Sequence, residues 1–355
     1  MIVSVIDTLG EAPRTQPHIA KQSREILMNA ARFVPPGPLG FGGAPLGNMF
    51  GEVSDIEADA TLDAAWDAGI RYFDTAPIYG SGVSEHRFGH ALRQRKRDDF
   101  VLSSKVGLLL HPDSSKGGRH GPFVSTLPFR PEFDYSADGT RRSIEDSLQR
   151  LGMARIDVVY IHDIAEDHHG EHWLDVFKIA MTGAAAALTR LREEGVIRAW
   201  GLGVNRVEPC VLALEQADPD VFLLAGRYSL LNQPALDGLF PACAERGVHV
   251  VVGGPYNSGI IAGGKNFEYQ EASAAQVAAR DRLLEIAASH GVDLRAAALQ
   301  FCAAHPVVAS VIPGTKNPER VRENVALMRQ QIPAAFWQEL KRDGVLPEHA
   351  PTPGG

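Results

Sequence analysis

Four side chains stand out for what they could do together: Asp74, Tyr79, Lys105 and His162. Asp74 and Tyr79 share the segment Asp74-Thr75-Ala76-Pro77-Ile78-Tyr79-Gly80, Lys105 closes the run Leu102-Ser103-Ser104-Lys105, and His162 closes Val159-Tyr160-Ile161-His162. A free phenol has a pKa of about 10, too high for easy proton exchange at neutral pH. A neighbouring ammonium favours the phenolate and lowers that value. A carboxylate keeps the ammonium charged and in place, and a neutral imidazole donates a hydrogen bond to a substrate oxygen. Such a set moves a proton at one oxygen. Each member also has a plain structural use: loop cap, loop packing, strand-end charge, core histidine. What marks them as a site is that apolar segments deliver them side by side.

Those segments follow a rhythm. Short apolar runs read as strands at 39–43, 70–74, 100–104, 156–161, 199–203, 221–225, 248–252 and 308–312. Helical patterns lie between them. Ser54-Asp55-Ile56-Glu57 is a capping box that opens a helix running to about Ala68. Further helices are expected at 84–93, around 144–151, and at 183–194, 207–216, 236–246, 275–289 and 294–304. Asn317 caps the last, with Pro318 in its first turn. Eight strands each followed by helix predict an α/β fold, a (β/α)₈ TIM barrel in one domain. In such a barrel, polar residues at strand ends face the C-terminal mouth, where Asp74, Lys105 and His162 fall. Two long connections, Gly107–Tyr135 and Gly253–Ser273, open on the same mouth. Residues 1–37 read as an N-terminal extension, with Met28 an alternative start, 38–332 as the barrel, and 333–355 as a C-terminal tail.

Composition narrows the classes. The chain has 355 residues, 45% hydrophobic, with a net charge of −8. No basic block is present, which argues against nucleic acid or an anionic membrane as partner. No apolar run is long enough to span a bilayer. Cys210, Cys243 and Cys302 are widely spaced, which predicts reduced thiols in a cytoplasmic protein without a signal peptide. His168, His169 and His172 cluster in one loop; lacking partners on separate strand ends, they read as a solvated polar loop, and no metal is expected.

From about Gly40 to Met328 the sequence resembles the aldo-keto reductases. The motifs are Gly69-Ile70-Arg71-Tyr72-Phe73-Asp74-Thr75-Ala76-Pro77-Ile78-Tyr79-Gly80, Ser84-Glu85 before Gly89, Lys105, His162, and the stretch from Val311 through Lys316 to Asn324. The resemblance implies hydride transfer with NAD or NADP: Tyr79 as general acid–base, Lys105 tuning it, Asp74 paired with Lys105, and His162 orienting the reacting oxygen. It implies cofactor contacts at Gly43, Ala44, Asp74, Asn205, Pro255, Tyr256, Ser258, Gly259, Ile261, Gly314, Thr315, Lys316, Arg320, Glu323 and Asn324. Loop amides and the helix start at Pro318 would receive phosphate.

Three positions depart from the family. Ala225 replaces a glutamine that helps hold the nicotinamide carboxamide. Gly253 stands where an aromatic ring often stacks, with Tyr256 three residues on. Gly314 replaces a lysine that contacts the 2′-phosphate of NADP, which favours NAD. Leu224–Leu231, Gly253–Gly259 and Tyr160–Asp163 resemble the branch that holds D-threo-aldose 1-dehydrogenases (L-fucose or L-galactose dehydrogenases) and pyridoxal 4-dehydrogenase. Those relatives oxidise a cyclic hemiacetal to a lactone, so oxidation of an aldose at its anomeric carbon is expected, with Tyr79 mainly a base. Pyridoxal oxidation, general NADPH-dependent carbonyl reduction and a cofactor-binding regulatory subunit are the alternatives. Specificity is expected in the loops 107–135 and 163–172, where Phe123, Phe129 and Phe133 are aromatic candidates.

Overall fold

Eight parallel strands carry the fold in the computed structural model, which describes residues 32–354. They are β1 Phe41–Gly42, β2 Tyr72–Asp74, β3 Val101–Val106, β4 Val158–His162, β5 Ala199–Val204, β6 Val221–Ala225, β7 His249–Gly253 and β8 Val308–Ile312. Each pairs with the next in parallel register, for example Lys105 with Tyr160 and Ala225 with Gly253. The last returns to the first: Gly40 donates to the Val311 carbonyl at 2.9 Å, and Leu39 bridges Val311. The expected (β/α)₈ barrel is therefore formed. Residues 1–31 of the expected N-terminal extension, Met28 included, lie outside the described residues.

Period-two alternation along the strands builds two apolar layers. Tyr72, Val101, Val158, Tyr160, Val221 and Leu223 fill the barrel interior. Their neighbours Phe73, Leu102, Val159, Ile161, Phe222 and Leu224 face outward beneath the helices. The first helix, Asp55–Asp67, starts on the expected box: Glu57 N donates to Ser54 Oγ at 3.2 Å, and Ser54 N donates back to Glu57 Oε2 at 2.9 Å.

Three regions differ from the sequence reading. Helical structure begins well ahead of the expected 183: short helical turns at Glu166–His169 and Gly170–His172 lead into a helix that runs from Trp173 to Glu193 through a π turn at Met181–Ala185. The turn frees Ala184 N to donate to the Tyr135 carbonyl at 2.9 Å, and a Cβ on Gly183 would lie 2.4 Å from that oxygen. The long 107–135 connection is two antiparallel hairpins, Leu108–Pro112 against Phe129–Phe133 and Arg119–His120 against Phe123–Val124. The 333–355 segment holds a helix, Ala334–Arg342, whose Phe336, Trp337 and Leu340 are buried in the outer apolar layer.

Candidate active site

Asp74, Lys105 and His162 end β2, β3 and β4, and Tyr79 follows in the turn after β2. Backbone geometry buries Asp74 behind Lys105 and turns Tyr79, Lys105 and His162 toward one cavity. Its volume is about 640 Å³, and Tyr79, Lys105 and His162 line its floor. Lys105 Nζ donates to Asp74 Oδ2 at 2.8 Å and to the Thr75 carbonyl at 2.8 Å. Ser103 Oγ donates to Asp74 Oδ1 at 2.7 Å. Beneath them, the Tyr72 and Tyr160 hydroxyls meet at 2.9 Å. The acidic and basic partners are both buried, with side-chain exposures of 1% for Lys105 and 3% for Asp74.

Burial pushes the Asp74 carboxyl above its ordinary value, while Lys105 and Ser103 act against that rise. Tyr79 behaves differently from the sequence expectation. Its pKa is raised well above the ordinary phenol value, by burial first and then by the negative charges of Asp74 and Asp163. The Lys105 ammonium does lie beside it, but 4.8 Å above the ring centroid and already paired with Asp74. Its charge is shared with the carboxylate, and burial together with the Asp74 and Asp163 charges sets the net shift upward. His162 conforms: burial, Lys105 and His168 hold its pKa well below the ordinary value, leaving a neutral imidazole edge-on to Tyr79 at 6.1 Å.

The Tyr79 turn is packed without slack. A Cβ on Gly47 would lie 2.6 Å from the Tyr79 carbonyl carbon and 2.8 Å from its oxygen. Gly47→Ala must therefore displace the backbone that aims Tyr79. We expect a stability loss of about 1–3 kcal/mol, together with lowered turnover, read by thermal unfolding and a steady-state assay.

The cavity has two kinds of wall. One is apolar, with Met49, Ile78, Leu108, Phe123 and Phe133. Phe123 stacks on Tyr79 at 5.7 Å, so of the aromatic candidates it reaches the site most directly. Phe133 stacks on Tyr135 at 5.8 Å, while Phe129 packs with Ile78 and Leu108. The other wall is polar, with Asp163, Asp167, His168, Asn205, Arg206, Arg227 and Glu268. Sequence reasoning missed most of it. His168 is not a solvated bystander: it lies 3.4 Å from Asp163 and 3.5 Å from Asp167. His169 Nε2 pairs with the Tyr135 hydroxyl at 3.0 Å, and His172 is solvent-exposed as the sequence reading had it, beside Glu171 at 3.8 Å.

The residues proposed around a cofactor form a rim beyond this floor. Ala44 and Asn205 line the cavity itself, and Gly43 sits tight behind Asp74, whose carbonyl a Cβ would meet at 2.6 Å. Asn205 is held by Tyr269, whose hydroxyl reaches its Oδ1 at 3.4 Å. Pro255 and Ile261 are buried in the loop after β7, where Asn257, Ser258 and Gly259 all adopt positive φ. Several loop amides are already used there, among them Asn257 N on the Gly254 carbonyl and Gly259 N on the Tyr256 carbonyl. Ser258 Oγ accepts from Tyr269 N at 2.9 Å. Tyr256 donates to Asn324 Oδ1 at 2.7 Å and does not line the cavity, whereas Tyr269 does. Gly314 packs on Pro45 and the Gly42 carbonyl, where a Cβ would lie 2.7 and 2.8 Å away; any larger residue would clash. Thr315 Oγ1 accepts from Asn317 N, Lys316 Nζ lies 3.4 Å from the Glu52 carbonyl, and Glu323 is held by Arg295 at 2.9 Å. Arg320 is exposed and has no ion-pair partner among the described residues.

One feature of the mouth asks for a ligand. Both amide atoms of Asn257 and the Arg206 Nε are buried without hydrogen-bond partners, and both residues line the cavity. A buried unpaired polar group costs about 1–3 kcal/mol, so a polar occupant that satisfies them is favoured. Asn257 carried no signal in sequence because its isolation depends on tertiary burial.

Comparison with known proteins agrees with this geometry. The model of the Aldo/keto reductase family matches residues 38–342. Pyridoxal 4-dehydrogenase of Microbacterium luteolum is 43% identical over 87% of this chain and 94% of its own. D-threo-aldose 1-dehydrogenase of a Pseudomonas species is 40% identical, again over 87% and 94%. Among solved structures, the holo form of an aldo-keto reductase from Bacillus halodurans superposes with a TM-score of 0.68 at 25% identity, covering 88% of this chain and 95% of that one.

Proposed function

This chain belongs to the aldo/keto reductase family and is an NAD(P)-dependent oxidoreductase; from that premise we propose that it oxidises the ring hydroxyl of a cyclic hemiacetal, an aldose at carbon 1, to a lactone. The observation that carries the reading is the floor of the cavity. A buried Asp74–Lys105 pair, a phenol and a neutral imidazole converge beneath one polar and one apolar wall. A sugar has the matching faces: hydroxyls along its edge and C–H groups across its plane. Relatives named for an aldose and for pyridoxal support the same chemistry on two substrates. Pyridoxal is the second reading, favoured by the 43% relative and by the aromatic Phe123 on the apolar wall.

The residues at the mouth fit a nicotinamide nucleotide. Asn257 and Arg206 hold unpaired polar atoms for amide or phosphate oxygens, Asn205 presents an amide at the cavity, and the helix at Pro318 offers a positive end. When bound, the nucleotide supplies the hydride acceptor. The chain's own part is then proton handling and alignment. His162 donates to the reacting oxygen and holds its carbon in position. Tyr79, as phenolate, takes the hydroxyl proton while hydride departs. Lys105 is held against the Tyr79 ring by its pairing with Asp74. We read NAD as the preferred form, because Gly314 leaves no room for a phosphate-binding lysine, although exposed Arg320 offers one cationic contact.

The test is cofactor reduction with NAD and NADP against L-fucose, L-galactose, D-arabinose and pyridoxal. Turnover with an aldose and NAD is expected; activity with none of the four overturns the reading. Its pH profile follows from Tyr79. The phenol pKa is raised by burial, Asp74 and Asp163, and oxidation needs the deprotonated form. The oxidative rate should therefore climb through the alkaline range, whereas reduction, which needs the phenol, should not fall there until higher pH.

A further inference from the structure

The turn that follows His162 places a second functional group where a strand would place none. Successive residues of an extended strand point to opposite faces. Asp163 instead adopts φ +55°, a left-handed conformation uncommon outside glycine, asparagine and aspartate. This swings its carboxylate to the same side as His162, and both line the cavity. The turn is clamped from several directions. The Tyr135 hydroxyl lies 3.0 Å from the His162 carbonyl and 3.2 Å from that of Asp163, and Asp163 N donates to the Gly203 carbonyl at 3.2 Å. The same Tyr135 is held from behind by the π turn through Ala184 N. An unfavourable backbone conformation kept by so many contacts is the pattern of a functional constraint.

The carboxylate sits at a telling distance. Asp163 Oδ1 lies 3.6 Å from Nε2 of His162, the imidazole proposed above to donate to the reacting oxygen. Its other oxygen lies 3.4 Å from His168 Nε2, and His168 Nδ1 lies 3.5 Å from Asp167. The carboxylate is thus fixed at one end and open to the cavity at the other. Neighbouring hydroxyl oxygens on a sugar ring are separated by about one hydrogen-bond length. An oxygen placed on His162 Nε2 therefore brings the adjacent hydroxyl to Asp163 Oδ1.

We propose that Asp163 is a specificity residue: it accepts a hydrogen bond from the hydroxyl next to the one being oxidised, selecting substrates that carry a vicinal pair of hydroxyls. His168, with Asp167 behind it, is the positioning residue that holds the carboxylate. This rests on the hemiacetal oxidation proposed above and names the part of the substrate that the polar wall recognises.

A substrate–mutant cycle tests it. The kcat/KM of an aldose oxidised by the wild type is compared with that of its 2-deoxy analogue, in wild type and in two variants. Asp163→Asn keeps the shape and tolerates the left-handed backbone. Asp163→Gly removes the side chain and suits positive φ. A hydrogen bond to a charged acceptor implies a wild-type preference of about 10- to 100-fold for the 2-hydroxy sugar. The preference should shrink in Asp163→Asn and vanish in Asp163→Gly; the lost charge acts on Tyr79 equally with both sugars, so the ratio reads the hydrogen bond alone. Equal efficiency for both sugars in the wild type, or a preference untouched in both variants, overturns the assignment while the oxidation itself stands. Failure of the wild type to oxidise either sugar sinks the underlying reading, and this inference with it.

Discussion

Replacing Tyr79 by phenylalanine should lower turnover by roughly 10²- to 10⁴-fold, the usual worth of a positioned acid–base group, and leave cofactor affinity within about twofold. The reasoning is local. The phenol is the group at the cavity floor that is neither spent in an ion pair nor held as a neutral donor. Lys105 is committed to Asp74 and the Thr75 carbonyl, and His162 is kept neutral by burial and by Lys105. Phenylalanine retains the stacking on Phe123 and the packing against Lys105, so the site should stay folded around it. Steady-state turnover and cofactor titration by fluorescence separate the two effects. A phenylalanine variant with near-normal turnover would remove Tyr79 from the mechanism.

The second large effect concerns the pair beneath it. Lys105→Met should destabilise the fold by about 3–5 kcal/mol, because it leaves the Asp74 carboxylate buried with no cation. Ser103 alone cannot compensate, since it supplies one neutral hydrogen bond to Asp74 Oδ1. Adding Asp74→Asn should recover most of that stability, since an uncharged amide demands no counter-ion. Activity should not return, because nothing then holds a positive charge beneath the Tyr79 ring. Denaturant unfolding of the two single variants and the double variant reads the first half, and turnover the second. Additive stability losses would show that the pair is not coupled; recovered activity would show that charge under Tyr79 is dispensable.

Much of the fold was legible in the chain because its signals are local. The sixth and eighth strands fall on 221–225 and 308–312, as periodicity places them, since their alternating residues meet two different apolar layers. Capping residues Ser54 and Asn317 work as their spacing implies. The place of the four candidate residues was legible for the same reason: three strand ends and one turn carry them. What escaped was tertiary. The 107–135 connection, rich in glycine and proline, hides two hairpins whose strands are held by the mouth more than by their own pattern. His168 looks like solvated loop until Asp163 turns back to meet it, and that turn rests on a left-handed backbone no composition announces. The direction of the Tyr79 shift was misjudged because proximity to Lys105 was weighed without burial or the charge already balanced by Asp74. Tyr256 sat at a plausible stacking position in sequence, yet its hydroxyl is drawn to Asn324 and Tyr269 occupies the mouth.

The proposed reaction removes hydride from carbon 1 of a cyclic sugar. An aldose deuterated at that carbon, incubated with the enzyme and NAD, tests it most directly. Deuterium is expected in the recovered reduced nicotinamide, with an aldonolactone as the sugar product. Reduced cofactor without deuterium, or no transfer from any of the aldoses, would contradict it.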